Sequence, residues 1–324
     1  MQRLSGARYF SSLQVILKKN TASALEAFDV KSVTTPPVQK DNASAKVKFL
    51  GSFVSEGDIL TMRNSVQQVG KPVGENGLLE VLEGGSKFKK GDKVHSSGFT
   101  GVWQSEFVIP ESSLKQAPAN VTVSNFADYI AHAHALAMLK GLKTGDVVAV
   151  SKAESPLGFG VARIGKKKGL RVIAVVGGTI DTPEVMKKLK QAGAEIVTIE
   201  DYNDGTNYVV SNAFRRLLSD IPKSKVVVNG QGGLYAHELA RTLGDGGLMY
   251  VFGGSPFTLP SSLFIERGII VRGPLAPSNE DYEEAGKLLQ DLGDIKTPSV
   301  EFSLKEIGKA VDGVGLGPVS ILKA

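Results

Sequence analysis

The sequence predicts an α/β chain in two parts, a β-rich, barrel-like domain and a doubly wound parallel-sheet domain. Three observations carry this. The first third has turn signals at intervals of about ten residues between short apolar stretches. From about Asn125 onward, uninterrupted apolar strands alternate with helices of ordinary length, the pattern of a parallel sheet covered on both faces. Glycine is abundant, at 37 of 324 residues, which suits many tight strand–helix turns.

In order along the chain, residues 13–19 (LQVILKK) read as a first strand and 45–54 (AKVKFLGSFV), alternating over part of its length, as a second. Short strands follow at 77–84, 91–95 and 103–110, between Gly-rich turns. Residues 126–141, rich in Ala, Leu and Met, predict a helix. Then strands at 146–150, 170–176, 194–199, 225–230, 247–254 and 268–273 alternate with helices at 157–168, 183–192, 207–219 and 233–243. The tail carries helices at 282–291 and 304–312 and a last strand at 319–323, and is expected to rejoin the first domain. The boundaries expected are residues 1–10 as a leader, 11–124 with 280–324 as the β-rich domain, and 125–279 as the parallel-sheet domain. There is no internal repeat and no low-complexity segment.

Composition narrows the function classes. A length of 324 residues suits two domains, and 42% apolar with 22% charged residues excludes disorder as the main state. No run of about 18 uncharged apolar residues is present, so no membrane span is expected. Cysteine is absent, which excludes disulfides, a thiol nucleophile, iron–sulfur ligation and Cys-ligated zinc. Of the formal charge of +5, Arg3 and Arg8 supply two, leaving +3 for the rest. The basic runs Lys166–Lys168 and Lys187–Lys190 fall on predicted helices and read as solvated faces. Sequence-specific binding of nucleic acid is therefore not expected. The first twelve residues, MQRLSGARYFSS, hold two Arg, three Ser and no acid, the composition of a mitochondrial presequence, with a cleavage-like Arg8-Tyr9-Phe10-Ser11. The expected address is the mitochondrial matrix.

His132 and His134 form an H-x-H pair on a predicted helix. Two residues apart they point roughly 200° away from each other and do not converge on one metal. With only His95 and His237 besides, no metal site is expected. No nucleophile elbow or P-loop is present.

Several phrases resemble the medium-chain dehydrogenase/reductase superfamily. They are Gly91-Asp92-Lys93-Val94, Leu142-Lys143-Thr144-Gly145-Asp146-Val147-Val148, Leu189-Lys190-Gln191-Ala192-Gly193-Ala194, and Leu243-Gly244-Asp245-Gly246-Gly247 followed by Phe252-Gly253-Gly254. Within it, Val226-Val227-Val228-Asn229-Gly230, Ser262-Leu263-Phe264-Ile265 and Val271-Arg272-Gly273 look most like mitochondrial 2-enoyl-thioester reductases. The resemblance spans about residues 13–323 and implies a GroES-like barrel plus a Rossmann domain, NADPH as hydride donor, and a homodimer formed through the sheet edge near 247–273.

The residues depart from what that chemistry needs. In the resembled family a tyrosine of the first domain donates to the developing oxyanion. Its position falls near Val66, and no tyrosine stands between Tyr9 and Tyr129. Arg63, Asn64, Ser65 and, from the second domain, His134 are the donors left nearby. The phosphate loop, Ser151-Lys152-Ala153-Glu154-Ser155-Pro156-Leu157-Gly158, has proline where the family has glycine, which removes an N–H donor, and Glu154 adds negative charge. Val176-Gly177-Gly178-Thr179 carries neither the Arg that pairs a 2′-phosphate nor the acid that reads a ribose hydroxyl. Any dinucleotide would rest on Ser151, Ser155, Gly158, Gly177, Gly178, Gly253 and Gly254. The expected cofactor is none or NADPH. The expected function is a catalytically silent relative of the reductases, a pseudoenzyme serving as a structural or assembly subunit of a mitochondrial complex such as a ribonucleoprotein. The alternative is an active NADPH-dependent enoyl-thioester or quinone reductase with a non-standard site, using Ser65 or His134 as donor.

Overall fold

The computed structural model describes residues 10–21, 23–35, 43–64, 69–96, 101–177, 182–200, 219–253, 256–291, 296–312 and 319–324. The expected leader, up to residue 9, lies outside them. Phe10–Leu17 (β1) and Phe28–Thr35 (β2) flank the short helix Ala24–Ala27 (α1) and pair antiparallel, Leu17 opposite Phe28. The sequence does not announce β2, because Phe28, Val30 and Val33 break strict alternation and are only half-buried. Ser44–Phe53 (β3) follows. Helix Glu56–Asn64 (α2), to which the sequence analysis assigns no element, comes next. Its start is set by exchange between two side chains. The Asp58 N–H donates to Ser55 Oγ at 3.2 Å, and the Ser55 N–H donates to Asp58 Oδ2 at 2.8 Å.

The barrel-like part continues with Leu78–Glu83 (β4), Lys93–Ser96 (β5), Glu106–Pro110 (β6) and Leu114–Gln116 (β7). Next come Phe126–Met138 (α3), Val147–Ser151 (β8), Pro156–Lys168 (α4), Arg171–Gly177 (β9), Thr182–Ala192 (α5) and Ala194–Glu200 (β10). The helix expected at 207–219 lies outside the described residues except for its last. Ser224–Asn229 (β11), Gly233–Thr242 (α6), Leu243–Val251 (β12), Ser261–Ile265 (α7), Ile270–Arg272 (β13) and Asn279–Leu288 (α8) complete the second series. Ser299–Ser303 (β14), Ile307–Asp312 (α9) and Val319–Lys323 (β15) end the chain.

Two compact units result. The first takes residues 1–126 with Ser299–Val314 and Pro318–Ala324, the second Ala127–Pro298 with Gly315–Gly317. The chain thus returns to the first unit at Ser299, not at residue 280 as expected. α8 stays with the second unit, where Glu284 meets Lys167 of α4 and the Tyr282 ring lies 5.8 Å from that of Tyr129.

In the first unit the sheet order is β14-β15-β3-β4-β5-β7, with β6 on β3. Its core gathers Val47, Phe49, Leu79, Val81, Trp103 and Ile109. In the second unit all pairings are parallel, in the order β10-β9-β8-β11-β12-β13. Strand residues divide by alternation. Val148, Val150, Val172, Ala174, Val226 and Val228 enter one core, while Val147, Ala149, Ile173, Val175 and Val227 enter another on the opposite face. That is the physical content of an unalternating apolar strand: both faces are buried.

Candidate functional site

The chain runs outward from β8 to β9 and β10, then crosses to β11 on the other side of β8. Strand order therefore reverses between β8 and β11, where doubly wound sheets open a crevice at their carboxyl ends. Here Ser151 and Asn229, both fully buried, join the two strands: Ser151 Oγ donates to Asn229 Oδ1 at 2.8 Å. The N–H groups of Gly230 and Gln231 donate to Ser151 Oγ, and that of Gly232 to Asn229 Oδ1. Three backbone donors at the crevice are thus used within the chain. Asn229 Nδ2 is buried and finds no partner among the described residues. Gly230 is needed for close approach, since a Cβ there would lie 2.1 Å from the Phe252 ring.

After β8 the backbone turns through Lys152, whose φ of 54° is left-handed. Ser155 caps α4, its Oγ accepting from the Gly158 N–H at 3.1 Å, with Pro156 in the first helical position. Of the amides that a helix start offers an anion, Pro156 has none and that of Gly158 is committed to Ser155. Gly158 is a packing glycine, because a Cβ would stand 2.4 Å from Ala153 Cα. The Glu154 carboxyl extends to the end of β9: a Cβ on Gly177 would lie 3.5 Å from Glu154 Oε1 and 3.7 Å from Gln231 Oε1. The sequence analysis sets Glu154 in the phosphate loop, and its carboxyl lies beside Gly177 at the end of β9.

The two histidines of α3 go to different neighbours. His132 is buried, with Nε2 at 3.4 Å from Arg163 Nη1, which itself donates to Asp128 Oδ1 at 2.8 Å. Thr297 Oγ1 donates to the same oxygen at 2.6 Å. Burial, and then the Arg163 charge, push the His132 pKa down to about 4, so the ring is neutral at pH 7. Half-buried His134 has Nδ1 at 3.0 Å from the Leu275 carbonyl oxygen. A carbonyl only accepts, so Nδ1 carries the hydrogen and Nε2 is a bare lone pair. Burial also holds the His134 pKa below its ordinary value. The His134 Nδ1–H is thus directed at the Leu275 carbonyl. Ser65, Val66, Gly178 and Gly254 lie outside the described residues; Gly253 is half-buried just past β12. Among the described residues no group of three or more His, Asp or Glu side chains is arranged to hold a metal, and no helix is long and apolar enough to cross a membrane.

No family model matches the chain. Mitochondrial enoyl-[acyl-carrier-protein] reductase of Dictyostelium discoideum is 32% identical over 282 residues, covering 82% of this chain and 78% of that protein. The chain belongs to the mitochondrial enoyl-[acyl-carrier-protein] reductase family. The reductase of the same description from Xenopus tropicalis is 25% identical over 334 residues, covering 94% of this chain and 93% of its own length. Among solved structures, an Etr1p/NADP/crotonyl-CoA complex aligns with a TM-score of 0.74 at 21% identity, covering 97% of this chain and all of that one. A putative NADPH:quinone reductase from Bacillus thuringiensis aligns at 0.77 and 16%, covering 97% and 99%. These likenesses show the medium-chain reductase fold, a GroES-like domain with a Rossmann domain. Of the expected site, Ser151 and Gly177 end β8 and β9, and Ser155 and Gly158 stand at the start of α4. The fold adds Asn229, Gln231 and Glu154 to them and leaves His134 turned to Leu275.

Proposed function

We propose that this reductase-family chain no longer carries out NADPH-dependent reduction of 2-enoyl thioesters and serves through its fold, as a homodimer or as a subunit of a larger complex in the mitochondrial matrix. The observation that carries the reading is the missing donor. No tyrosine stands between Tyr9 and Tyr129, and the His134 N–H is spent on Leu275. A single oxyanion donor is worth roughly a hundred- to a thousandfold in kcat. The cofactor of the family agrees poorly with the residues present. NADPH carries a 2′-phosphate, and the residues from Val176 to Pro183 include no Lys or Arg, while Glu154 presents a carboxyl beside Gly177.

Matrix import is supported by the presequence composition of the first twelve residues and by relatives named as mitochondrial. The self-association reading draws on the β13 edge. Ile270, on the sheet's edge strand β13, is 55% exposed, and Ile265, at the end of α7, is 81% exposed. The ribonucleoprotein reading gains nothing from the basic runs. Lys167 and Lys188 pair with Glu284 and Glu184, and Lys166 donates to the Gln191 carbonyl.

The test is a stopped-flow and steady-state assay of NADPH oxidation with a crotonyl thioester at up to millimolar substrate. Absence of turnover above the uncatalysed rate is expected. Turnover at an enzyme-like rate of about 1 per second or more would instead establish a working reductase with a non-standard site.

A further inference from the structure

We propose that the carboxyls of Asp58 and Glu75 form a proton-operated latch on the first turn of α2. With one proton between them, Glu75 stays seated over Gly57. Once that proton is lost, the Glu75 side chain leaves for solvent and uncovers the small cavity in front of Trp103. The latch lies within the first unit and is independent of the crevice between β8 and β11. It consists of two acids with one hydroxyl between them. Ser55 Oγ lies 2.7 Å from Asp58 Oδ2 and 3.5 Å from Glu75 Oε2. The Glu75 carboxyl fills the space that a side chain at Gly57 would need, since a Cβ there would overlap Glu75 Oε2. Asp58 is buried and Glu75 half-buried. Both line a cavity with Phe28 of β2, Thr61 and Met62 of α2, Val73 and Trp103. The charges of the flanking segments, Glu56 and Arg63 on α2, Asp29 and Lys31 on β2 and Lys71 ahead of Val73, do not line it.

Two carboxyls in a poorly solvated cavity, with no cation lining it, do not both ionise in the ordinary range, so the pair keeps a proton to higher pH. Burial first, and the Glu75 charge second, push Asp58 up to about 7, and burial raises Glu75 as well. The hydrogen-bond donors decide which side chain moves. The Asp58 carboxyl accepts from the Ser55 N–H, from Ser55 Oγ and from the Glu75 N–H. Among the described residues the Glu75 carboxyl has only the long approach to Ser55 Oγ. Repulsion in the doubly ionised pair is therefore relieved by Glu75, which has water at hand. Trp103 is placed to report the event. It is the single tryptophan of the chain, and its ring lies against Gly74, the neighbour of Glu75, where a Cβ would stand 2.5 Å from Trp103 Cδ1.

Tryptophan emission of the full chain, followed from about pH 5.5 to about pH 9, tests this. A red shift with its midpoint near pH 7 is expected, at constant far-ultraviolet circular dichroism. His95, the histidine of this unit, is pushed down to about 4 by burial and titrates below that range. Glu75→Gln is expected to lose the transition and to keep the low-pH spectrum throughout. Gly57→Ala puts a methyl in the seat of Glu75, on a helix that favours alanine over glycine. It is expected to show the high-pH spectrum at every pH while staying folded by its melting curve. Should Glu75→Gln fail to fold, Gly57→Ala decides alone. A transition that persists in either folded variant overturns the proposal, as does emission of the unaltered protein that stays constant across the range. Loss of circular dichroism with the same midpoint overturns it too, because the chain would then be unfolding rather than releasing one side chain.

Discussion

Glu111 shows how a single carboxyl can shape a loop. It is buried, and its two oxygens accept from the N–H groups of Gly85, Ser86, Lys87 and Phe88 and from Ser86 Oγ. Burial would raise its pKa, but the four amides together hold it below the usual carboxylate range. A depressed carboxylate stabilises the fold above its unfolded pKa, and that stabilisation is lost as pH falls. Glu111→Gln is therefore expected to cost about 2–3 kcal/mol in urea unfolding at pH 7, with the gap to the unaltered protein narrowing toward pH 3. The Asp58–Glu75 pair behaves oppositely. Burial first, and the Glu75 charge second, push Asp58 up to about 7. Ser55 Oγ donates to Asp58 Oδ2 at 2.7 Å, and the Glu75 N–H donates to Asp58 Oδ1 at 3.0 Å. A raised carboxyl favours the fold fully below about pH 4, and this advantage is lost as pH rises to about 7. Glu75→Gln is expected to flatten that slope and to raise stability at pH 8 by about 1 kcal/mol; a variant whose denaturation midpoints keep the original slope would contradict the assignment. At this scale the sequence was readable where a residue acts locally, as with the Ser155 cap and the Pro156 position. It named Glu154 and His134 but not their neighbours Gly177 and Leu275, which only the tertiary fold brings in.

α4 illustrates what an element demands of its sequence. Its start needs Ser155 as cap and Gly158 to clear Ala153, and its end needs Gly169, at a φ of 68°, to turn left-handed. Ser155→Ala is expected to cost about 1 kcal/mol. Gly158→Ala, which drives a methyl into Ala153, is expected to cost about 2 kcal/mol or more. Thermal melts of the two variants should rank in that order. Elements of the parallel sheet were legible because continuous apolar runs separated by glycine turns have few other readings. β2, α2 and β14 were not. β2 and β14 are partly exposed edge-like strands without strict alternation, and α2 presents a weak apolar face with Leu60 in solvent. Its Ser55–Asp58 capping exchange was the signal that could have announced it.

For the whole molecule, association is expected to run through the second unit's β13 edge. Size-exclusion chromatography with light scattering should find a dimer at micromolar concentration, and Ile270→Lys should shift it to monomer without lowering the melting temperature of the monomeric fold. A dimer that survives Ile270→Lys together with Ile265→Asp would place the contact elsewhere. The parallel sheet also has a thermodynamic consequence. Val226 and Val227 adjoin in sequence, yet they belong to different cores. Truncating both to Ala should then cost the sum of the single truncations to within about 0.5 kcal/mol, whereas Val226 and Val228, which share a core, should deviate from additivity. Adjacent letters in this strand are energetic strangers, and the sheet is the partition between them.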